Sequence, residues 1–183
     1  MKSALLFVLI GALFSFTGLC SCSSDKDETK TTDRPYFDLV SYFEQQARHL
    51  QEVNPVIVKT VGKNEQREQK KLQLSDWQRE LDLFASSDIN KPDWLQRYSV
   101  DSTNDILTYR TKDPELRTKE IKIHKDQKGR IKRIYILNGE KNWLYESLEK
   151  LDYYPDSLYR IEKEQAIRII GRNSYLITGK IAS

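Results

Sequence analysis

Cysteine is nearly absent from this chain of 183 residues, and its position limits what the folded part can do. The two cysteines, Cys20 and Cys22, both stand at the end of the first hydrophobic segment. The chain that follows Cys22 therefore has no internal disulfide, no thiolate metal site and no cysteine nucleophile.

Glycine and histidine are also scarce, with seven and two residues. The chain has no Gly-x-Ser-x-Gly elbow, no phosphate-binding loop and no dinucleotide-binding glycine pattern. His49 and His124 lie in different predicted elements, and neither has a second histidine at ligand spacing. We therefore predict no catalytic residue, no metal site and no cofactor.

Two acidic pairs keep one enzymatic alternative open, a hydrolase that uses carboxylates. Asp76 and Glu80 lie four residues apart on a predicted helix, while Glu162 and Glu164 share one face of a predicted strand. Such chemistry needs two carboxylates held across a cleft with different pKa values, and sequence spacing does not establish this. We rank a hydrolase below a binding protein and a carrier.

A strong net charge is missing as well. The net charge is +3, so nucleic acid is not expected as a partner. One segment, residues 110–133, is nevertheless predominantly basic. It could bind anionic lipid, polysaccharide or another acidic polymer, or its lysines could simply keep exposed strands soluble. The candidate anion-binding residues are Lys119, Lys122, Lys125, Lys128, Arg130, Lys132 and Arg133.

Aromatic residues make up 10% of the chain, which favours a folded domain. Most of them should pack in a core or on a sheet. Tyr153 and Tyr154 precede Pro155 in a predicted loop, so we predict a recognition role for this pair.

The first 22 residues have the parts of a secretory signal: Lys2 at a short positive start, an apolar run from Ala4 to Leu19, and small residues before Cys22. Leu19-Cys20-Ser21-Cys22 resembles the lipobox of bacterial lipoprotein precursors. The resemblance implies cleavage before Cys22 and acyl chains, such as palmitate, on that cysteine. An uncleaved anchor or an ordinary signal peptide is the alternative, although the apolar run is short for a membrane span.

Residues 22–33 are small, polar and almost free of apolar side chains, which predicts a flexible tether. The acidic residues Asp25, Asp27 and Glu28 resemble the export signal of surface lipoproteins in the Bacteroidota. This resemblance implies a lipid-anchored protein of the cell envelope, in the outer membrane and either periplasmic or surface-exposed.

The remaining residues, 34–183, are predicted to form a single α+β domain in which N-terminal helices pack on a curved antiparallel β-meander. Apolar spacing predicts a helix over 36–51, and a capping box of Ser75 and Gln78 predicts a second helix that ends near Ser87. Period-two patterns and turn signals such as Asn138-Gly139 predict the strands, although 146–152 could be helical. The predicted strands are 56–61, 70–74, 106–109, 119–124, 130–137, 143–148, 157–164, 166–170 and 174–181.

These features together indicate a non-enzymatic binding or assembly module that is anchored to a membrane. Its partner would be anionic lipid, a polysaccharide or an envelope protein. A carrier of lipids or lipoproteins, with an apolar cavity under the curved sheet, is the main alternative, because that class combines helices with such a sheet.

The anchor can be tested by replacing Cys22 with Ala. We expect the variant to leave the membrane fraction, because stable anchoring needs two or more acyl chains. Fractionation and metabolic labelling with a radioactive fatty acid would measure this, with Cys20→Ala as the matched control. Equal fatty-acid labelling of the native chain and Cys22→Ala, with both retained in the membrane, would contradict lipidation of Cys22.

Overall fold

The computed structural model describes residues 35–182, so the predicted signal peptide, Cys22 and the tether lie outside the described residues. Nine strands form one antiparallel sheet, and two α-helices accompany it. The predicted α+β class is confirmed at this level. Neither helix of the described part is long and apolar enough to cross a membrane.

The element order is two helices interleaved with a hairpin, followed by seven strands. The helices are α1 (Leu39–Val53) and α2 (Trp77–Ala85), and Pro92–Trp94 forms a 3-10 turn. The strands are β1 (Val56–Lys63), β2 (Gln66–Gln73), β3 (Tyr98–Thr103), β4 (Ile106–Thr111), β5 (Thr118–Lys125), β6 (Ile131–Lys141), β7 (Tyr145–Tyr154), β8 (Leu158–Ile167) and β9 (Gly171–Ile181).

The strand order in space follows the chain, with one exception. Strands β3 to β8 each pair with the next strand along the chain, and the β1–β2 hairpin joins the far side by pairing β1 with β9. Strands β2 and β3 are therefore the two edges. The edge position explains the very polar sequence of β2, because charged side chains on an edge discourage pairing with other chains.

Both helices pack on one face of the sheet, which we call the helix side. Three aromatic rings form the centre of this contact: Phe43 lies 5.1 Å from Phe84 and 5.1 Å from Tyr153, measured between ring centroids. Trp77 is 1% exposed and packs against Tyr159. The predicted burial of Phe43, Trp77 and Phe84 in one core is confirmed.

Alternation along each strand fills the helix side with apolar residues. Register places Ile121, Ile136, Leu151 and Ile161 in one row across β5 to β8, and all four are buried. Their neighbours along each strand point the other way. We call that second surface the helix-free face.

The two helix starts differ from the predicted ones. Asp38 caps α1, with its Oδ1 accepting the Ser41 N–H at 2.9 Å. Asp76, rather than Ser75, caps α2 and accepts the Arg79 N–H at 2.9 Å. The predicted capping box is therefore wrong, because the side chain that reaches the free N–H groups is the one directly before Trp77.

Several predicted strands also need correction. Asn138 and Gly139 lie inside β6, where buried Asn138 donates to the Ser87 hydroxyl at 2.9 Å, so no turn forms there. Residues 168–170 form a turn instead of the end of a strand, 146–152 is part of β7, and strand β3 was not predicted.

The chain enters the domain beside β3 and β4. The Tyr36 ring packs edge-on against Tyr98 and Tyr109, at centroid distances of 5.8 and 5.5 Å. The Asn90 side chain accepts the Tyr36 N–H at 3.1 Å and donates to the Phe37 carbonyl at 3.2 Å. Residues 36–37 are thereby held firmly against the sheet.

The residues from Asp33 to Ser183 form one unit of the chain. The buried core residues run from Tyr36 to Ile161, and the last strand ends at Ile181. This stretch therefore contains its own core and the complete sheet, which is what independent folding requires.

A close approach of Tyr159 to the backbone of β9 can be tested at Gly179. These residues are opposite each other in register, and a Cβ on Gly179 would overlap the Tyr159 ring. We expect Gly179→Ala to lower the free energy of unfolding by about 1–3 kcal/mol through overpacking, as measured by urea denaturation.

The matched control is the double variant Gly179→Ala, Tyr159→Leu. The double variant should lose less unfolding free energy than the sum of the losses in the two single variants, because the clashing ring is gone. Additive losses would contradict the contact.

Candidate functional site

A groove of about 990 Å³ lies on the helix-free face at one end of the sheet, and we call it the main groove. Its floor consists of two neighbouring rows that cross β6, β7, β8 and β9. The first row is Gly139, Leu148, Glu164 and Ser174, and the second is Lys141, Glu146, Ala166 and Arg172.

One wall of the main groove is the β1–β2 turn. Asn64 is fixed to the start of β9, because its N–H donates to the Ser174 carbonyl at 2.8 Å and its Oδ1 accepts the Ser174 N–H at 2.9 Å. Its amide nitrogen also donates to the Asn173 side chain at 3.3 Å. This wall is therefore built by backbone and amide hydrogen bonds.

The other wall is formed by the loop between β4 and β5. Lys119 extends over Gly139, and its Nζ donates to the carbonyls of Pro114 at 2.5 Å and Leu116 at 2.6 Å. A Cβ on Gly139 would lie only 3.3 Å from the Cε of Lys119. The glycine thus leaves room for the lysine stem, and the lysine in turn holds the loop.

The floor of the main groove is mixed in character. Leu148 is 37% exposed and supplies apolar surface. Lys141 and Glu146 form an exposed ion pair at 3.5 Å. Glu164 and Arg172 are exposed, and neither has an ion-pair partner among residues 35–182. The groove can therefore offer one ligand a hydrogen-bond donor from Arg172, an acceptor from Glu164 and an apolar contact with Leu148.

A buried charge supports this floor from the helix side. Glu149, only 6% exposed, accepts from Arg117 at 2.7 Å and from Lys163 at 2.9 Å. Burial raises the pKa of Glu149, but the hydrogen bonds and charges of Lys163 and Arg117 outweigh it and leave the pKa below its usual value. The charged pairs tie β7, β8 and the loop before β5 together beneath the groove.

A second groove of about 520 Å³ lies on the same face, over β3 to β6. Its charges are largely paired: Glu120 accepts from Arg110 at 2.6 Å and lies 2.7 Å from Lys122. Burial raises the pKa of Glu120, but these two cations hold it below its usual value. Arg133 at the rim donates to Asp152 at 2.6 Å.

The seven predicted anion-binding residues do not form a single patch. Lys119 belongs to the main groove, whereas Lys122 and Arg133 line the second one. Arg130 and Lys132 share Asp126, at 2.7 and 4.0 Å. The two remaining residues, Lys125 and Lys128, are exposed at the opposite end of the strands. Anion binding by this set stays a prediction.

The predicted recognition loop is wrong in its placement. Tyr153 and Tyr154 are the last two residues of β7, and alternation sends them to opposite faces. Tyr153 is 2% exposed, and its hydroxyl donates to Gln46 of α1 at 2.9 Å. Tyr154 lies on the helix-free face, 5.6 Å from the Arg133 guanidinium.

The candidate carboxylates are spread over the fold. Asp76 caps α2, and Glu80 accepts hydrogen bonds from Tyr159 and Lys59. Glu162 pairs with Arg160, so only Glu164 reaches the main groove. Among residues 35–182 there is no group of three or more histidine, cysteine, aspartate or glutamate side chains that could hold a metal ion.

The main groove could not be predicted from the sequence, because its floor residues are far apart in the chain. Gly139 was assigned to a turn, and the row that it shares with Leu148, Glu164 and Ser174 depends on strand register. The one usable signal was a glycine inside a β-pattern, which marks a close approach of another chain segment.

The chain was compared with known protein families, curated proteins and solved structures, and none of them matches it.

His124 in the second groove predicts a pH dependence of stability. Burial lowers its pKa below 6.5, and Arg133 and Lys122 lower it further, against an opposing effect of Asp152. The unfolded chain thus binds a proton more readily than the folded one, so the free energy of unfolding should fall as pH drops below about 6.5.

Urea denaturation at a series of pH values would measure this decline. We expect His124→Gln to make it shallower, whereas His49→Gln removes an exposed imidazole that lies 3.2 Å from Asp156 and serves as the control. Identical pH profiles for native protein and His124→Gln would contradict the inference.

Proposed function

We propose that this protein is a lipid-anchored envelope lipoprotein that acts as a non-enzymatic binding or assembly module. The anchor is Cys22, as the lipobox resemblance implies. The binding site is the main groove. The observation that carries the proposal is this groove of about 990 Å³, which combines the apolar surface of Leu148 with Glu164 and Arg172, two charged residues that have no ion-pair partner among residues 35–182.

We also propose that the sheet is curved at the end that holds the main groove. Asn64 and Pro114 line the same groove, although β9, β8, β7, β6 and β5 separate their positions in the strand order. Neighbouring strands lie about 4.8 Å apart, so the six spacings between these positions would put them roughly 29 Å apart in a flat sheet. Curvature toward the helix-free face at this end brings the two walls to one concave site.

The ligand that suits this groove is a polar chain, a polysaccharide or a segment of an envelope protein. Arg172 and Glu164 can bind an acceptor and a donor of the same ligand, and Leu148 can contact a sugar ring or an apolar side chain. An anionic lipid headgroup fits less well, because Glu146 and Glu164 would repel it.

A lipid or lipoprotein carrier is the second candidate, but the helix side of the sheet gives it little support. The space where an apolar cavity would lie is occupied by Phe43, Phe84 and Tyr153, whose ring centroids are 5.1 to 5.9 Å apart. A hydrolase remains third, because Glu164 is the only one of the four candidate carboxylates in the main groove.

Site-specific crosslinking can test the main groove. The described residues contain no cysteine, so Ser174→Cys introduces a single thiol there that can carry a photoreactive group. We expect this variant to form covalent adducts with an envelope polymer or protein in intact cells. Adducts would be detected as mass shifts on denaturing gels and identified by mass spectrometry.

Two further variants control this experiment. Ser102→Cys places the same group on the exposed edge strand β3 and should form few adducts. Leu148→Arg fills the floor of the groove and should remove most of the Ser174 adducts. Equal labelling from positions 174 and 102, or adducts unaffected by Leu148→Arg, would refute a binding role for the groove.

A further inference from the structure

Three large apolar side chains project from two neighbouring turns at the end of the sheet that holds the main groove. Trp143 is 79% exposed in the β6–β7 turn, and Ile169 and Ile170 are 85% and 73% exposed in the β8–β9 turn. We call these three residues the apolar tip. They are the most exposed of the large hydrophobic residues in the described part of the chain.

The apolar tip is held in place by hydrogen bonds. The Arg168 N–H donates to the Leu144 carbonyl at 3.0 Å, which joins the two turns. The Asn142 side chain accepts the N–H groups of Leu144 at 3.0 Å and Tyr145 at 2.9 Å. Since both turns are ordered by such bonds, the exposed side chains are presented by a fixed backbone.

Basic residues flank the apolar tip. Arg168 and Arg172 are exposed, and within residues 35–182 neither has a carboxylate at ion-pair distance. Lys141 is also exposed, 3.5 Å from Glu146. Glu140 lies 3.5 Å from Arg117. The unpaired Glu164 lies farther from the turns, in the first of the two floor rows of the main groove. The unpaired charge next to the apolar tip is therefore positive.

The chain enters the domain from the same end of the sheet. Tyr36 packs against Tyr98, the first residue of β3, and the antiparallel order places this strand end with the β6–β7 and β8–β9 turns. Residues 22–34 can span at most about 45 Å when fully extended. If Cys22 is lipidated, this length lets the domain lie with the apolar tip against the membrane.

The shape of the apolar tip favours a lipid surface over a protein partner. A stable protein interface takes about 20–30 residues from each side, whereas three residues on two narrow turns offer far fewer. Tryptophan is enriched at the interface between lipid headgroups and acyl chains, and basic residues beside an apolar surface attract anionic headgroups.

We propose that Trp143, Ile169 and Ile170 insert into the headgroup region of an anionic phospholipid bilayer while Arg168 and Arg172 contact its phosphates. The tethered domain then rests on the membrane in one orientation, with the main groove next to the lipid surface. This contact shares Arg172 with the main groove, and it adds to the lipid anchor without replacing it.

The test uses the chain from Asp33 to Ser183 with an N-terminal histidine tag, held on phosphatidylcholine vesicles by a nickel-chelating lipid. The tag replaces Cys22, so the result does not depend on lipidation or on the ligand of the main groove. Lipids brominated in the acyl chains quench tryptophan that enters the bilayer. We expect quenching in native protein, which increases when phosphatidylglycerol is added.

The variants identify the residues responsible. Trp143→Phe should remove most of the quenching, because Trp77 is buried and the half-buried Trp94 packs against the core. Ile169→Asp with Ile170→Asp should remove most of it while Trp143 remains. Val53→Asp, at an exposed position at the end of α1, is the matched control and should quench like the native protein.

Arg168→Gln with Arg172→Gln should remove only the increase caused by phosphatidylglycerol. Quenching that is absent in native protein, or unchanged by the two aspartates, would overturn the proposal. A measurement without vesicles could also overturn the proposal. If the protection of Trp143 from quenching by aqueous iodide rises with protein concentration, a second copy of the chain covers the apolar tip.

Discussion

The packing of two amphipathic helices on one face of the sheet is the constraint on which the rest of this structure depends. Phe43 and Phe84 meet Tyr153 at the centre of that contact, and Trp77 covers Tyr159. Because side chains alternate along a strand, filling the helix side with isoleucine, leucine and tyrosine leaves every second residue for the opposite face. The core thus determines which residues are free to form a binding surface.

The helix-free face carries several ion pairs between neighbouring strands. Arg110, Glu120 and Lys122 form one group, and Arg133 pairs with Asp152. Exposed pairs of this kind contribute little to stability individually, but they neutralise one another. This pairing explains why a predominantly basic stretch of sequence produces no continuous positive patch. At the end of the sheet, Arg168 and Arg172 adjoin the apolar tip and have no ion-pair partner in the described part of the chain.

The main groove, the apolar tip and the chain entry all belong to the same end of the sheet. A domain tethered at this end and resting on its apolar tip would hold the groove close to the membrane surface. Such an arrangement suits a protein that captures or organises a molecule at the envelope, where a short reach and a fixed orientation raise the local concentration of the two partners.

The sequence by itself determined the helices, most strands and the members of the core, because apolar periodicity reports directly which face of an element is buried. It also supplied the lipobox resemblance at Cys22, which remains a prediction. It could not place Asn138 and Gly139, because a turn signal was overridden by the burial of Asn138 against Ser87. Nor could it separate Tyr153 from Tyr154, whose roles depend on where β7 ends. The groove and the apolar tip were decided by tertiary structure alone, because strand register assembles them from residues that are distant in the chain.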